Sequence, residues 1–131
     1  MNLCGMKQIA DYIQKNKYEH VIFMVNSASE EPYIQMAFYL KFNPADFQRK
    51  AKREKNGFIY VRQYNNFYFL NYNRQEDLKI LKILRQNKNN LYILRGNWYF
   101  DNLVYKNKKI YKKEIFRIKD YNNKTLWLIG K

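Results

Sequence analysis

One cysteine, one histidine, two prolines and four scattered glycines leave this chain little of the commonest site chemistry. Cys4 alone cannot close an internal disulfide. His20, the only histidine, excludes a zinc site built on several His or Cys ligands. A Ser-His-Asp triad would have to use His20, which opens an apolar run beside Val21, so we read it as structural or half-exposed. Gly5, Gly57, Gly96 and Gly130 are too far apart for a phosphate-cradling loop or a dinucleotide fingerprint. No apolar run approaches the roughly 20 residues that span a bilayer. Residues 1–10 lack the basic start and long apolar stretch of a signal peptide.

What the chain does have is bulk, aromatic rings and positive charge. At 131 residues, 47% hydrophobic and 18% aromatic, residues 1–131 form one domain able to bury a core. Lys and Arg number 25 against 11 Asp and Glu, a net charge of +14. Lys, Asn, Ile and Tyr are all abundant, as the codon bias of a low-GC genome produces, so part of the excess is solvated surface. Two clusters rise above that background. Arg49, Lys50, Lys52 and Arg53 lead to Lys55; Lys106, Lys108, Lys109, Lys112 and Lys113 lead to Arg117 and Lys119. Of these, Arg49, Lys50, Lys52, Arg53, Lys108, Lys109, Lys112 and Lys113 are the candidate contacts for an anionic or membrane surface. Anionic lipid or lipid-linked phosphate ranks ahead of nucleic acid as their partner.

Met6, Ile9, Ala10 and Ile13 recur at i, i+3, i+4 and i+7, predicting an amphipathic helix over about residues 5–17. The continuous apolar run His20-Val21-Ile22-Phe23-Met24-Val25 fits a strand covered on both faces. A helix over about 30–41 follows, with Ser27 and Glu30 as a capping box, Ser29 as the competing cap, and Asn43-Pro44 ending it. Residues 45–55 read as a short basic helix or turn. Strands over 58–63 and 67–71 flank Asn65-Asn66 as a hairpin. Asn73 with Glu76 repeats the capping signature before a helix over about 75–86. Leu91 to Leu94 form another apolar strand, Arg95-Gly96-Asn97 break it, and Trp98-Tyr99-Phe100 fit a single helical turn. Strands near 110–118 and 125–129 close the chain. Strands alternating with helices imply a three-layer α/β/α fold with a mostly parallel sheet and a C-terminal antiparallel β-hairpin at its edge.

In such sheets the binding crevice lies beyond the carboxyl ends of the strands. That rule selects Asn26, Ser27, Ser29, Tyr72, Asn73, Asn97 and Trp98 as candidate substrate-binding residues. Ser27, Ser29 and Asn73 also read simply as helix caps. Glu30 and Glu31 are adjacent, and neighbours on a helix point about 100° apart. They suit the helix dipole better than paired acid–base work. Tyr33, Phe38, Tyr39 and Phe42 read as core. Trp98, beside a strand end, is open to sugar stacking, to the bilayer interface or to ordinary packing. No catalytic residue, metal ligand or cofactor site is assigned.

The segment EPYIQMAFYLKFNPADFQ, residues 31–48, carries a Pro-Tyr-Ile helix start, an internal Phe-Tyr pair and a closing Asn-Pro. It resembles the soluble C-terminal domain of membrane glycosyltransferases of the family 39 and protein-mannosyltransferase-like group. The likeness extends to the lead Gly5-Met6-Lys7, to Phe67-Tyr68-Phe69-Leu70 with the following charged helix, and to the late strand and terminal hairpin. The resemblance implies a detached, non-catalytic extracytoplasmic cap or acceptor-binding domain. Its parent would be an enzyme using polyprenyl-phosphate sugars, whose catalytic acids lie in the transmembrane portion of the same polypeptide. It places the domain on the extracytoplasmic face of the membrane. The rival reading is a small stand-alone cytoplasmic protein that binds nucleic acid through its basic clusters, with rings such as Tyr60 and Tyr64 stacking bases.

Overall fold

The structure, a computed structural model, describes residues 5–25, 32–50, 52–53, 61–96 and 110–131. Its elements are α1 (Met6–Lys15), β1 (His20–Val25), α2 (Pro32–Tyr39), α3 (Pro44–Lys50), β2 (Lys52–Arg53), β3 (Val61–Tyr64) and β4 (Phe67–Asn71). After them come α4 (Gln75–Leu84), β5 (Asn90–Arg95), β6 (Glu114–Lys119) and β7 (Thr125–Gly130). The strands form one sheet in the order β2-β3-β4-β1-β5-β7-β6.

The expected mostly parallel, three-layer arrangement is corrected by this sheet. Only β4-β1-β5 run parallel; the pairings β2-β3, β3-β4, β5-β7 and β6-β7 are all antiparallel. The physical reason lies in the connections. Parallel neighbours need a long crossover, and the short turns at Asn65-Asn66 and at residues 120–124 can only fold strands back on themselves. Asn65 and Asn123 adopt the left-handed conformation that such turns demand.

The central strand is apolar on both faces because both faces are covered. Val21, Phe23 and Val25 point into one core with Met6, Ile9 and Ala10 of α1, Tyr33 and Met36 of α2, and Phe47 of α3. Ile22 and Met24 point the other way, onto Leu81 and Leu84 of α4. Aromatic rings fill the first core: Phe23 stacks on Phe69, and Phe42 meets Phe47, Tyr64 and Phe67. Gly96 sits where an added Cβ would strike the Thr125 carbonyl, so the missing side chain lets the end of β5 approach β7.

Three local readings change. Asn43-Pro44 begins a helix rather than ending one: α2 stops at Tyr39, Lys41 turns left-handed, and Asn43 Oδ1 accepts the Asp46 N–H at 3.0 Å as the cap of α3. Asn73 does not cap α4. Arg74 occupies that position, and its side chain makes no capping hydrogen bond. Phe38 is 75% exposed, since it lies on the face of α2 opposite Tyr33 and Met36.

The start of α4 is tied down instead by Asp77. It is fully buried, and its Oδ2 accepts the Asn71 N–H at 2.8 Å. Its Oδ1 lies 3.1 Å from Arg62 Nε on β3, a charge contact rather than a directed hydrogen bond. Arg62 is partly exposed and also reaches Glu76, so removing Asp77 chiefly leaves the buried Asn71 N–H without its acceptor. Asp77→Ala should therefore lower the unfolding free energy by about 1–3 kcal/mol in a urea titration. Asp77→Asn, which keeps an acceptor for Asn71, should lose less.

Candidate functional site

The connection leaving β1 runs through α2 on one face of the sheet, and the one leaving β4 runs through α4 on the other. The two strands are neighbours, so the topological switch point lies between their carboxyl ends. Of the residues selected there, Asn26, Ser27, Ser29, Asn97 and Trp98 lie outside the described residues, as do Glu30 and Glu31. Tyr72 is buried in the core shared with α4, and its N–H bonds the Val25 carbonyl at 2.9 Å. Asn73 is exposed, and its N–H donates to Asn71 Oδ1 at 2.8 Å. The described part of this edge is an anchored turn.

The first basic cluster is partly neutralised. Arg49 and Lys50 both reach Asp46 at 3.1 Å, one helical turn back along α3. Asp46 also accepts the Tyr64 hydroxyl at 2.5 Å. Lys52 and Arg53 form β2, but their side chains lie outside the described residues. In the second cluster Lys108 and Lys109 lie outside the described residues, and Lys112 and Lys113 are exposed. Five strand spacings of about 4.8 Å, roughly 24 Å, separate β3 from β6. The two clusters thus sit at opposite edges of the sheet.

Lys112 and Lys113 instead share a cleft with lysines the sequence scatters widely. At the amino edge of the sheet a cavity of about 530 Å³ is lined by Lys17, Lys88, Lys112, Lys113 and Lys131. Tyr18 and the amides of Asn16, Asn89 and Asn90 complete its walls, and no carboxylate side chain is among the lining residues. The strands explain the convergence. β1 and β5 are parallel neighbours, with His20 opposite Asn90, so the turns that deliver them lie side by side. β7 is antiparallel to both β5 and β6, so its end returns to the same edge.

The walls are braced. The Glu19 N–H donates to the Asn89 carbonyl at 2.8 Å, and Asn66 Nδ2 donates to the Tyr18 carbonyl at 3.1 Å. The N–H groups of Lys112 and Lys113 both donate to the Lys131 carbonyl, at 2.9 and 2.8 Å. Asn90 is buried and spends its amide hydrogens on the Leu84 carbonyl and the Tyr92 hydroxyl, at 2.6 and 3.0 Å. Its Oδ1 therefore faces His20 Nδ1 at 3.1 Å, which assigns the imidazole proton to Nδ1. His20 does not itself line the cleft; it bonds Asn90, which does.

The nearby acids are engaged elsewhere. The Glu19 carboxylate accepts from the Asn87 amide, and Glu114 pairs with Arg117 at 2.7 Å. Among the described residues no carboxylate pairs with any of the five lysine ammonium groups. Burial, then the 2.7 Å bond to the Tyr12 hydroxyl, pushes the Tyr18 hydroxyl well above its ordinary pKa, so it stays neutral. The cleft can attract and hold anions. Among the described residues no cluster of three or more His, Cys, Asp or Glu side chains forms, and no described helix is long and apolar enough to cross a membrane. No family model, curated protein or solved structure matches the chain.

Lys17, Lys88 and Lys131 were not singled out by sequence, because they stand in three separate turns or ends. The signal available was their placement just before or after predicted strands, at the edge opposite the one the crevice rule selects.

The Tyr64 hydroxyl, followed by Lys50 and Arg49, holds the Asp46 carboxyl below its ordinary pKa. A depressed folded-state value contributes stability above the unfolded value of about 3.9, lost as pH falls through the folded one. Urea midpoints of wild type and Asp46→Asn should therefore differ at pH 7 and converge only well below pH ~4.

Proposed function

We propose that this protein is a non-catalytic binding module for nucleic acid, and that the amino-edge cleft holds its phosphates. The observation that carries the reading is the set of five lysines around one braced cleft, with no carboxylate partner among the described residues. Like charges gathered without counter-ions are costly. A phosphate chain supplies those counter-charges and releases its own condensed cations on binding. Surface charge needed only for solubility would be dispersed, or matched by acids as it is at Arg49, Lys50 and Arg117.

Salt dependence tests this directly. Binding to a labelled oligonucleotide should weaken steeply with salt, and Lys112→Ala/Lys113→Ala together should reduce the log–log slope by about 2. Arg49→Ala/Lys50→Ala should leave that slope nearly unchanged. Equal effects of the two double variants would remove the cleft from the reading.

A second reading keeps the domain as the extracytoplasmic cap of a membrane glycosyltransferase, docked on the transmembrane portion of its polypeptide and an anionic lipid surface. Its support is the likeness of residues 31–48 and one observation within that segment. Ile34 and Phe38, one turn apart on α2, expose 46% and 75% of their surface. On this reading Phe38→Asp should reduce co-sedimentation with phosphatidylglycerol-containing vesicles several-fold. If the wild-type protein stays in the supernatant, membrane docking through α2 is excluded.

A further inference from the structure

We infer that the cleft takes a single strand rather than a duplex, with one base stacked on the ring of Tyr18; this rests on the nucleic-acid reading above. The shape of the site is the first argument. Proteins that grip duplex DNA push a convex element, a helix or a two-stranded ribbon, into a groove. Here the lysines line an open depression of about 530 Å³. Its walls are turns and strand ends rather than a projecting helix or ribbon. A single strand with its bases splayed out can lay a base into such a depression, whereas a duplex keeps its bases stacked and paired.

The second argument is the arrangement of side chains. Single-strand sites combine a positively charged groove with aromatic rings, because every base offers a π-face whatever its sequence. Tyr18 is half-buried: part of it packs against the first core, and it also lines the cleft. Its ring packs on the first core, its hydroxyl pairs with that of Tyr12 at 2.7 Å, and the two rings lie 6.3 Å apart. Lys17 precedes it in the chain, and Lys88 and Asn89 stand in the wall beyond. Lysines lining the same cleft as this ring can hold the phosphates flanking a stacked base.

Fluorescence anisotropy with a labelled oligothymidine, and with a labelled duplex of matched length, tests the inference on the full chain. The single strand should bind at least tenfold more tightly than the duplex at the same salt. Tyr18→Leu should weaken single-strand binding by about 5- to 150-fold, the range for loss of one aromatic platform, and change duplex binding little. Tyr12→Phe removes the same hydroxyl pair but keeps the Tyr18 ring, so it should bind as wild type does. The wild-type comparison needs no variant and stands even if Tyr18→Leu fails to unfold cooperatively. Equal or tighter duplex binding would overturn the single-strand inference while leaving the nucleic-acid reading in place. Absence of binding to either probe at low salt would overturn that reading itself. A Tyr18→Leu protein that folds and binds like wild type would overturn the stacking role.

Discussion

The double burial of β1 governs the rest of the molecule. A strand whose alternate residues are apolar on both sides needs cover on both faces. Three helices supply one cover and α4 the other. To reach the second face the chain must cross the sheet, and it does so between β4 and β5, placing them on either side of β1. Once β4-β1-β5 are fixed as parallel, their starts share one edge and their ends the other. The carboxyl edge receives the connections that change face, and the amino edge receives the turns after α1 and α4. The cleft at the amino edge follows from how the core is buried.

The antiparallel flanks complete that geometry. β6 and β7 form a hairpin whose inner strand pairs with β5, so the end of β7 returns to the edge where β5 begins. A fourth parallel strand beside β5 would have carried Lys131 to the far side of the sheet. On the opposite flank, β3 and β4 fold back at Asn65-Asn66, and β3 carries Arg62 to the buried Asp77. That pair holds the first turn of α4 against the end of β4 and so helps set where the turn after α4, with Lys88 and Asn89, delivers β5.

Much of this was legible in the chain. The apolar run of β1, the extent of β4 and the periodic start of α1 came from patterns that need no tertiary information. Both hairpins were legible too, but the antiparallel pairings of β2 with β3 and of β5 with β7 were not, because alternation of strands and helices says nothing about how such a strand docks on its neighbour. Asn43-Pro44 misled for a related reason: the same pair that forbids helix before it is a good start for helix after it. Asn73 and Glu76 carried the spacing of a capping box, yet the anchoring carboxylate was Asp77 one residue on. Arg62 of β3 reaches both; what distinguishes them is that Asp77 is buried and accepts the Asn71 N–H, while Glu76 stays exposed. The lysines of the cleft, from Lys17 to Lys131, became neighbours through strand order alone, so local composition could not assemble them.

The distribution of acids gives the positive charge its meaning. With 11 carboxylates for 25 basic residues, acids cannot match the cations one for one. The described acids that form ion pairs are committed to α3, to the junction of β3 with α4, and to β6. Each of them secures a local junction. Asp46 fixes α3 to Tyr64, Asp77 fixes α4 to β4, and Glu114 holds Arg117 along the edge strand. The cleft has no comparable junction for an acid to secure, because backbone and amide bonds already brace its walls. On the proposed reading, an anion that binds there only in the folded state would stabilise that state by mass action.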